Sequence, residues 1–169
     1  GGEPMLYPDF IKELAEDYKC RNLSAAVETS GYAPWENFRK VLDCVDLIMF
    51  DVKFIDPQKH LKYCGAGNEL ILENLKKVVK FVDTIVRIPI IPGINDTFDD
   101  VEKVGRFLAQ IKDKIRGVHC LPYHNYGIAK YEALGRNYTM SDMPIPEKEH
   151  MEAIRDAFLK YGISAQIGG

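Results

Sequence analysis

In the run Leu47-Ile-Met-Phe-Asp51-Val-Lys53 a carboxylate and an amine stand two residues apart inside a segment otherwise apolar enough to be buried. Side chains alternate along a strand, so Met49, Asp51 and Lys53 share one face while Ile48, Phe50 and Val52 share the other. Three more segments of strand character end in comparable groups. Ala25-Ala-Val-Glu28-Thr29 stops at Ser30-Gly31, a second holds Arg87 and closes with Pro92-Gly93-Ile94-Asn95-Asp96, and a third ends Leu121-Pro122-Tyr123-His124-Asn125. Glu28, Asp51, Lys53 and Arg87 can pair among themselves as an interior ion network. Pro92-Gly93 with Asn95-Asp96 makes a turn and helix entry whatever else it does, and His124 can be a hydrogen-bonded loop residue. Four strand ends delivering polar groups to one rim go beyond packing and point to a ligand with charged and polar parts.

The elements that would position these groups are legible from periodicity. Strand character falls at 25–29, 47–53, 84–91 and 117–123, and more weakly at 163–167. Apolar residues at three- and four-residue intervals predict helices over 7–18, 34–44, 68–80, 97–111 and 146–161. Asn68 and Thr97 are candidate caps, and Gly162 suits a left-handed helix end. Helix and strand alternate throughout, with strand centres roughly 20 to 40 residues apart, the size of a strand–helix repeat joined by right-handed crossovers. The expected fold is α/β with a mostly parallel sheet, and nothing in 1–169 marks a second domain.

Composition narrows the class. The 22 basic and 25 acidic residues leave a net charge of −3, so nucleic acid and anionic membrane are not expected partners. Apolar runs are too short to span a bilayer. The four cysteines, at 20, 44, 64 and 120, form neither a disulfide scaffold nor a metal knuckle, which suggests a reducing, cytoplasmic location.

The ordered set Gly1-Gly2-Glu3-Pro4, Glu28-Thr29-Ser30-Gly31, Asp51-Val52-Lys53, Arg87 with Ile91-Pro92-Gly93-Ile94-Asn95-Asp96, and Leu121-Pro122-Tyr123-His124 resembles the radical S-adenosylmethionine enzymes that activate glycyl radical enzymes. Lys130-Tyr131-Glu132-Ala133-Leu134-Gly135-Arg136-Asn137-Tyr138 is similar to the same family's tail, so the likeness runs over essentially the whole chain. The resemblance implies a partial (β/α) barrel, with about four of the radical S-adenosylmethionine fold's six strand–helix units falling here. It implies a site for S-adenosylmethionine at Gly1, Gly2, Glu3, Pro4, Asp51, Lys53, Arg87 and His124. It also implies a monovalent cation near the cofactor carboxylate, held by Glu28, Thr29, Met49 and Asp51, with Glu28 standing where an aspartate is usual.

The family's 4Fe-4S cluster is held by a Cys-x-x-x-Cys-x-x-Cys loop, and no such spacing occurs in this sequence. The expectation is therefore a C-terminal part of a longer oxidoreductase, itself carrying no catalytic residue and inactive alone. The implied partners are a glycyl radical enzyme such as pyruvate formate-lyase and an electron donor such as flavodoxin or ferredoxin. An open sheet edge where preceding strands are missing would favour self-association. Two other readings remain from the residues themselves: a cluster-free α/β barrel enzyme using Lys53 as nucleophile with Asp51 as proton partner, and a non-catalytic binding domain.

Overall fold

A computed structural model describes residues 2–138 and 140–169. Its centre is one five-stranded sheet in the order β1-β2-β3-β4-β5, with every neighbouring pair parallel. The strands are β1 (Ala26–Thr29), β2 (Leu47–Asp51), β3 (Asp83–Ile90), β4 (Gly117–Pro122) and β5 (Ala165–Ile167). The helices are α1 (Pro8–Cys20), α2 (Trp35–Arg39), α3 (Pro57–Cys64), α4 (Glu69–Val78), α5 (Phe98–Leu108), α6 (Ile128–Ala133) and α7 (Lys148–Ala157).

The alternation read from the sequence is realised. Ile48, Phe50 and Val52 are buried, together with Val27, Val86, Ile88, Val118 and Cys120. They share one core with Phe38 of α2, Leu75 of α4, Leu108 of α5 and Ile154 of α7, so these helices cover that face. Glu28, Met49, Asp51, Arg87 and His119 alternate onto the opposite face. Register brings them side by side: Glu28 lies opposite Met49, Asp51 opposite Arg87, and Arg87 opposite His119.

Several expectations shift at the level of local chemistry. The predicted helix over 34–44 shortens to α2, followed by turns in which Val41 N–H bonds Phe38 and Cys44 N–H bonds Val41. The chain must reverse there, because Asp46 accepts the Ala25 amide at 2.8 Å and starts β2 beside β1. The helix over 146–161 becomes α7 plus a 3-10 turn, Phe158–Tyr161, ending at Gly162 with φ of 67°. Thr97 caps α5 as expected, accepting the Asp100 amide. Asn68 does not cap α4 with its side chain. Its carboxamide instead donates to the main-chain carbonyls of Phe54 and Ile55, both at 2.9 Å.

Two helices escaped the sequence reading. α3 has no apolar stripe, since only His60 among its residues is buried. Its signals are at its ends: Asp56 caps Gln58 and Lys59, Pro57 opens the first turn, and Gly65 closes it in the left-handed region. α6 is short and has no buried residue.

Candidate functional site

The charges on the open face form a row across three strands. Arg87 Nη1 lies 2.7 Å from Glu28 Oε1, and Nη2 lies 2.8 Å from Asp51 Oδ1, with Nε adding a 2.9 Å bond to the same oxygen. Lys53 Nζ stands 3.8 Å from the other Asp51 oxygen. Arg87 is 15% exposed, Asp51 24% and Glu28 59%, so the row runs from half-buried to open. Burial opposes the Arg87 charge, but the hydrogen bond it donates to Glu28 and the charges of the two carboxylates outweigh that and hold the guanidinium above its ordinary value. The ion network foreseen in the sequence is thus present, and it borders a cleft.

Glu3 closes the cleft on its far side. One carboxylate oxygen accepts Met5 N–H at 3.0 Å and the Thr29 hydroxyl at 2.6 Å; the other accepts Ser30 N–H at 2.9 Å and the Ser30 hydroxyl at 2.6 Å. Four donors on one carboxylate fix the segment after Gly2 to the end of β1. Beneath it Gly31 takes φ of 77°, and a side chain there would strike the Phe50 ring, so this turn requires glycine. The resulting cleft, about 270 Å³, is lined by Gly2, Glu3, Pro4, Glu28, Thr29, Ser30, Asp51 and Arg87. Gly1 lies outside the described residues.

Lys53 and His124 do not line this cleft. Lys53 borders a second, larger one of about 620 Å³, walled chiefly by Phe54, Tyr63, Ile71, Ile91, Ile94 and Met140 and sharing Ser30 with the first. Phe54 and Tyr63 stack at 5.5 Å there, and His60 meets Phe54 edge-on. His124 is exposed in the loop after β4, its ring tilted 30° against that of Tyr126 at 4.3 Å and accepting that residue's amide. Met49 sits beside Glu28 on the open face without lining either cleft.

Two residues of this region went unread in the sequence: His60 lines the apolar cleft, and His119 extends the charged row on β4. Ser30, read as the strand end after Thr29, bridges the two clefts. Burial, and then the neighbouring Arg87, push the His119 imidazole below its ordinary value, so it is biased toward the neutral form. The alternation Val118-His119-Cys120 was a signal for His119, since Val118 and Cys120 are both buried. His60 lacks such a pattern.

The donor set favours particular ligands. Three carboxylates against one guanidinium make the small cleft anionic, suited to a ligand with positive groups, and open space lies beside Gly2. The ammonium and sulfonium of S-adenosylmethionine fit that chemistry. A monovalent cation would share Glu28 and Asp51 with Arg87, which already engages both, while Thr29 Oγ1 donates to Glu3 and accepts from Gly31. A 4Fe-4S cluster does not fit: Cys20 and Cys64 are exposed, Cys44 and Cys120 are buried, and burial raises the Cys120 thiol to about 12. Among the described residues no three His, Cys, Asp or Glu side chains are grouped to hold a metal ion. No helix of these residues is long and apolar enough to cross a membrane.

Comparison with known proteins decides the family. The model of the radical SAM superfamily matches residues 1–108. The chain belongs to the radical SAM superfamily. Within it the chain is related to activating enzymes. It is 37% identical over 173 residues to the trans-4-hydroxy-L-proline dehydratase activating enzyme of Clostridioides difficile, covering 100% of this chain and 57% of that one. It is 34% identical to the (2S)-3-sulfopropanediol dehydratase activating enzyme of Klebsiella oxytoca, covering 99% and 55%. This radical SAM chain therefore spans a little over half the length of these relatives. Among solved structures it is similar to a domain of pyruvate-formate lyase-activating enzyme from Bacteroides vulgatus, with a TM-score of 0.83 and 28% identity, covering 100% of this chain and 96% of that one. The match to Streptococcus suis SuiB, at a TM-score of 0.73 and 10% identity over 38% of that chain, shows the shared fold alone.

Proposed function

We propose that residues 1–169 are the C-terminal part of a radical SAM partial barrel, acting as one domain, and that the small charged cleft binds the methionine end of S-adenosylmethionine. The observation that carries this reading is the convergence of Gly2, Glu3, Pro4, Asp51 and Arg87, distant in sequence, on one anionic cleft. In the reading Asp51 and Glu28 face the positive groups of the cofactor, Arg87 holds both carboxylates in place, and Lys53 and His124 meet the cofactor from outside the cleft. A monovalent cation near its carboxylate, bound by Glu28, Thr29, Met49 and Asp51, belongs to the same proposal.

When bound, S-adenosylmethionine supplies the 5′-deoxyadenosyl group that removes hydrogen from a glycine, the cofactor carrying the hard chemistry. These residues bind and orient it. The names of the relatives, activating enzymes of dehydratases, support a glycyl radical enzyme as protein partner; an electron donor such as flavodoxin or ferredoxin belongs to the same proposal. The 4Fe-4S cluster is proposed to be held by protein outside these 169 residues, which leaves this chain inactive alone in a reducing cytoplasm.

The open edge of β1 adds a proposal about assembly. Asp9 of α1 pairs with Lys40 beyond α2 at 2.8 Å, and α1 leaves Phe10 at 63% and Leu14 at 40% exposure. An edge strand beside exposed apolar side chains favours self-association of this chain. Light scattering at rising concentration should show mass above the monomer, and a strict monomer would contradict it.

The cofactor reading is tested by equilibrium dialysis with S-adenosylmethionine and with S-adenosylhomocysteine, which lacks the sulfonium charge. An anionic cleft should retain the first more strongly than the second, and Asp51→Asn should weaken that preference. Equal retention of the two, or none of either, would contradict the reading.

A further inference from the structure

Where β2 leaves the sheet, its main chain is held by side-chain amides instead of a strand partner. Val52 N–H still bonds the Arg87 carbonyl at 2.9 Å. Beyond it the ladder stops, yet the carbonyls of residues 53–55 are all engaged. Asn95 donates to the Lys53 carbonyl at 3.1 Å, and Asn68 donates to those of Phe54 and Ile55. Both asparagines are buried, at 5% and 2% exposure. Asn95 also donates to the Pro89 carbonyl at 2.6 Å and accepts the Ile91 amide at 2.8 Å. Its carboxamide therefore ties the end of β3 to the first residue beyond Val52.

That residue is Lys53, whose side chain borders the apolar cleft while its ammonium lies 3.8 Å from Asp51. We propose that Asn95 is a positioning residue for Lys53: by fixing the lysine main chain at the junction of β2 and β3, it sets the ammonium between the charged row and the apolar cleft. Asn68 does the same service one and two residues later, for Phe54 and Ile55, and so acts on the wall of the apolar cleft. Buried carbonyls left without donors are costly, so the segment must relax when either amide is lost. Relaxation at residue 53 moves a charge, whereas relaxation at 54 and 55 moves apolar surface.

The test compares Asn95→Ala, Lys53→Ala and their combination with Asn68→Ala, which loses bonds of the same kind. The first readout, S-adenosylmethionine affinity by dialysis, rests on the function proposed above. Asn95→Ala should weaken binding about tenfold in the native background and hardly at all when Lys53 is already alanine. An equal loss in both backgrounds would overturn the proposal, because the effect would then bypass the lysine. The second readout needs no cofactor: trace acetylation of lysines followed by mass spectrometry. Labelling of Lys53 relative to Lys114 should change in Asn95→Ala and stay unchanged in Asn68→Ala. Unchanged Lys53 labelling in Asn95→Ala overturns the proposal even if S-adenosylmethionine does not bind at all, in which case the functional reading fails separately. If Asn95→Ala does not fold, Asn95→Ser, which keeps one hydroxyl donor, carries both measurements.

Discussion

The two clefts meet at Ser30 and are built on opposite principles. The charged cleft sets strand residues placed side by side by register against Glu3 of the segment before α1, and its groups are held locally: Arg87 by two carboxylates, Glu3 by four donors. The apolar cleft is made by α3 and by segments that have left the sheet, and asparagine amides hold its main chain. The first is pre-organised for charge and small in volume. The second offers aromatic and aliphatic walls and more than twice the space. Charged and apolar surface are thereby separated on a single rim.

The largest effect that could break this comparison is removal of Arg87. Arg87→Leu should leave Glu28 to solvent and Asp51 with Lys53 alone, 3.8 Å away, and cost about 3 kcal/mol, the low end for removing one partner of a buried pair, because Glu28 is exposed. Urea unfolding measures this, and a loss under about 1 kcal/mol would show that the row is solvated and loose. Phe54→Ala sharpens the contrast from the other side. It should cost roughly 2 to 3 kcal/mol through lost packing, with the apolar cleft only partly surrounding the ring. Its effect on S-adenosylmethionine retention should be small. Strong loss of retention in Phe54→Ala would merge the two clefts into one site.

Glu3→Ala removes the acceptor for four donors at the lip of the charged cleft. A stability loss of about 2 kcal/mol is expected, less than four separate bonds because some donors regain water. Hydrogen exchange should rise at Met5 and Ser30 and stay unchanged around Phe54. Exchange rising equally at both clefts would contradict their separate construction.

How much of this was legible follows from where the residues sit. Glu28, Asp51 and Arg87 could be read as one group because strand alternation carries them to one face whatever the helices do. The parallel order followed from the repeat of strand and helix. Lys53 was read as part of the same group, correctly as to its face, but it lies past the last ladder bond and its environment is set by Asn95 from another loop. α3 was invisible to periodicity because its cleft-facing residues His60, Tyr63 and Cys64 make no apolar stripe and its other face is solvated. Asn68 looked like a helix cap by position and spends its amide on the β2 exit instead. Residues whose partners lie in other loops leave no local pattern to find.

The smallest expected effect concerns His119, at the far end of the charged row. Its imidazole is held below the ordinary value of 6.5 by burial and then by Arg87. The unfolded chain therefore takes up a proton first as pH falls. This contribution to stability is complete above pH 6.5 and is lost on acidification toward the folded value. Urea unfolding at pH 7.5 and 5.5 should show a smaller acid loss for His119→Gln than for the native chain.

Titration of the labelled chain with S-adenosylmethionine, followed by two-dimensional amide NMR, tests most directly whether the charged cleft holds the cofactor. Shift changes should concentrate at Gly2–Leu6, Glu28–Gly31, Asp51 and Arg87, with Phe54, Tyr63 and Ile71 little affected. Changes centred on the apolar cleft, or no saturable change at any site, would contradict that reading.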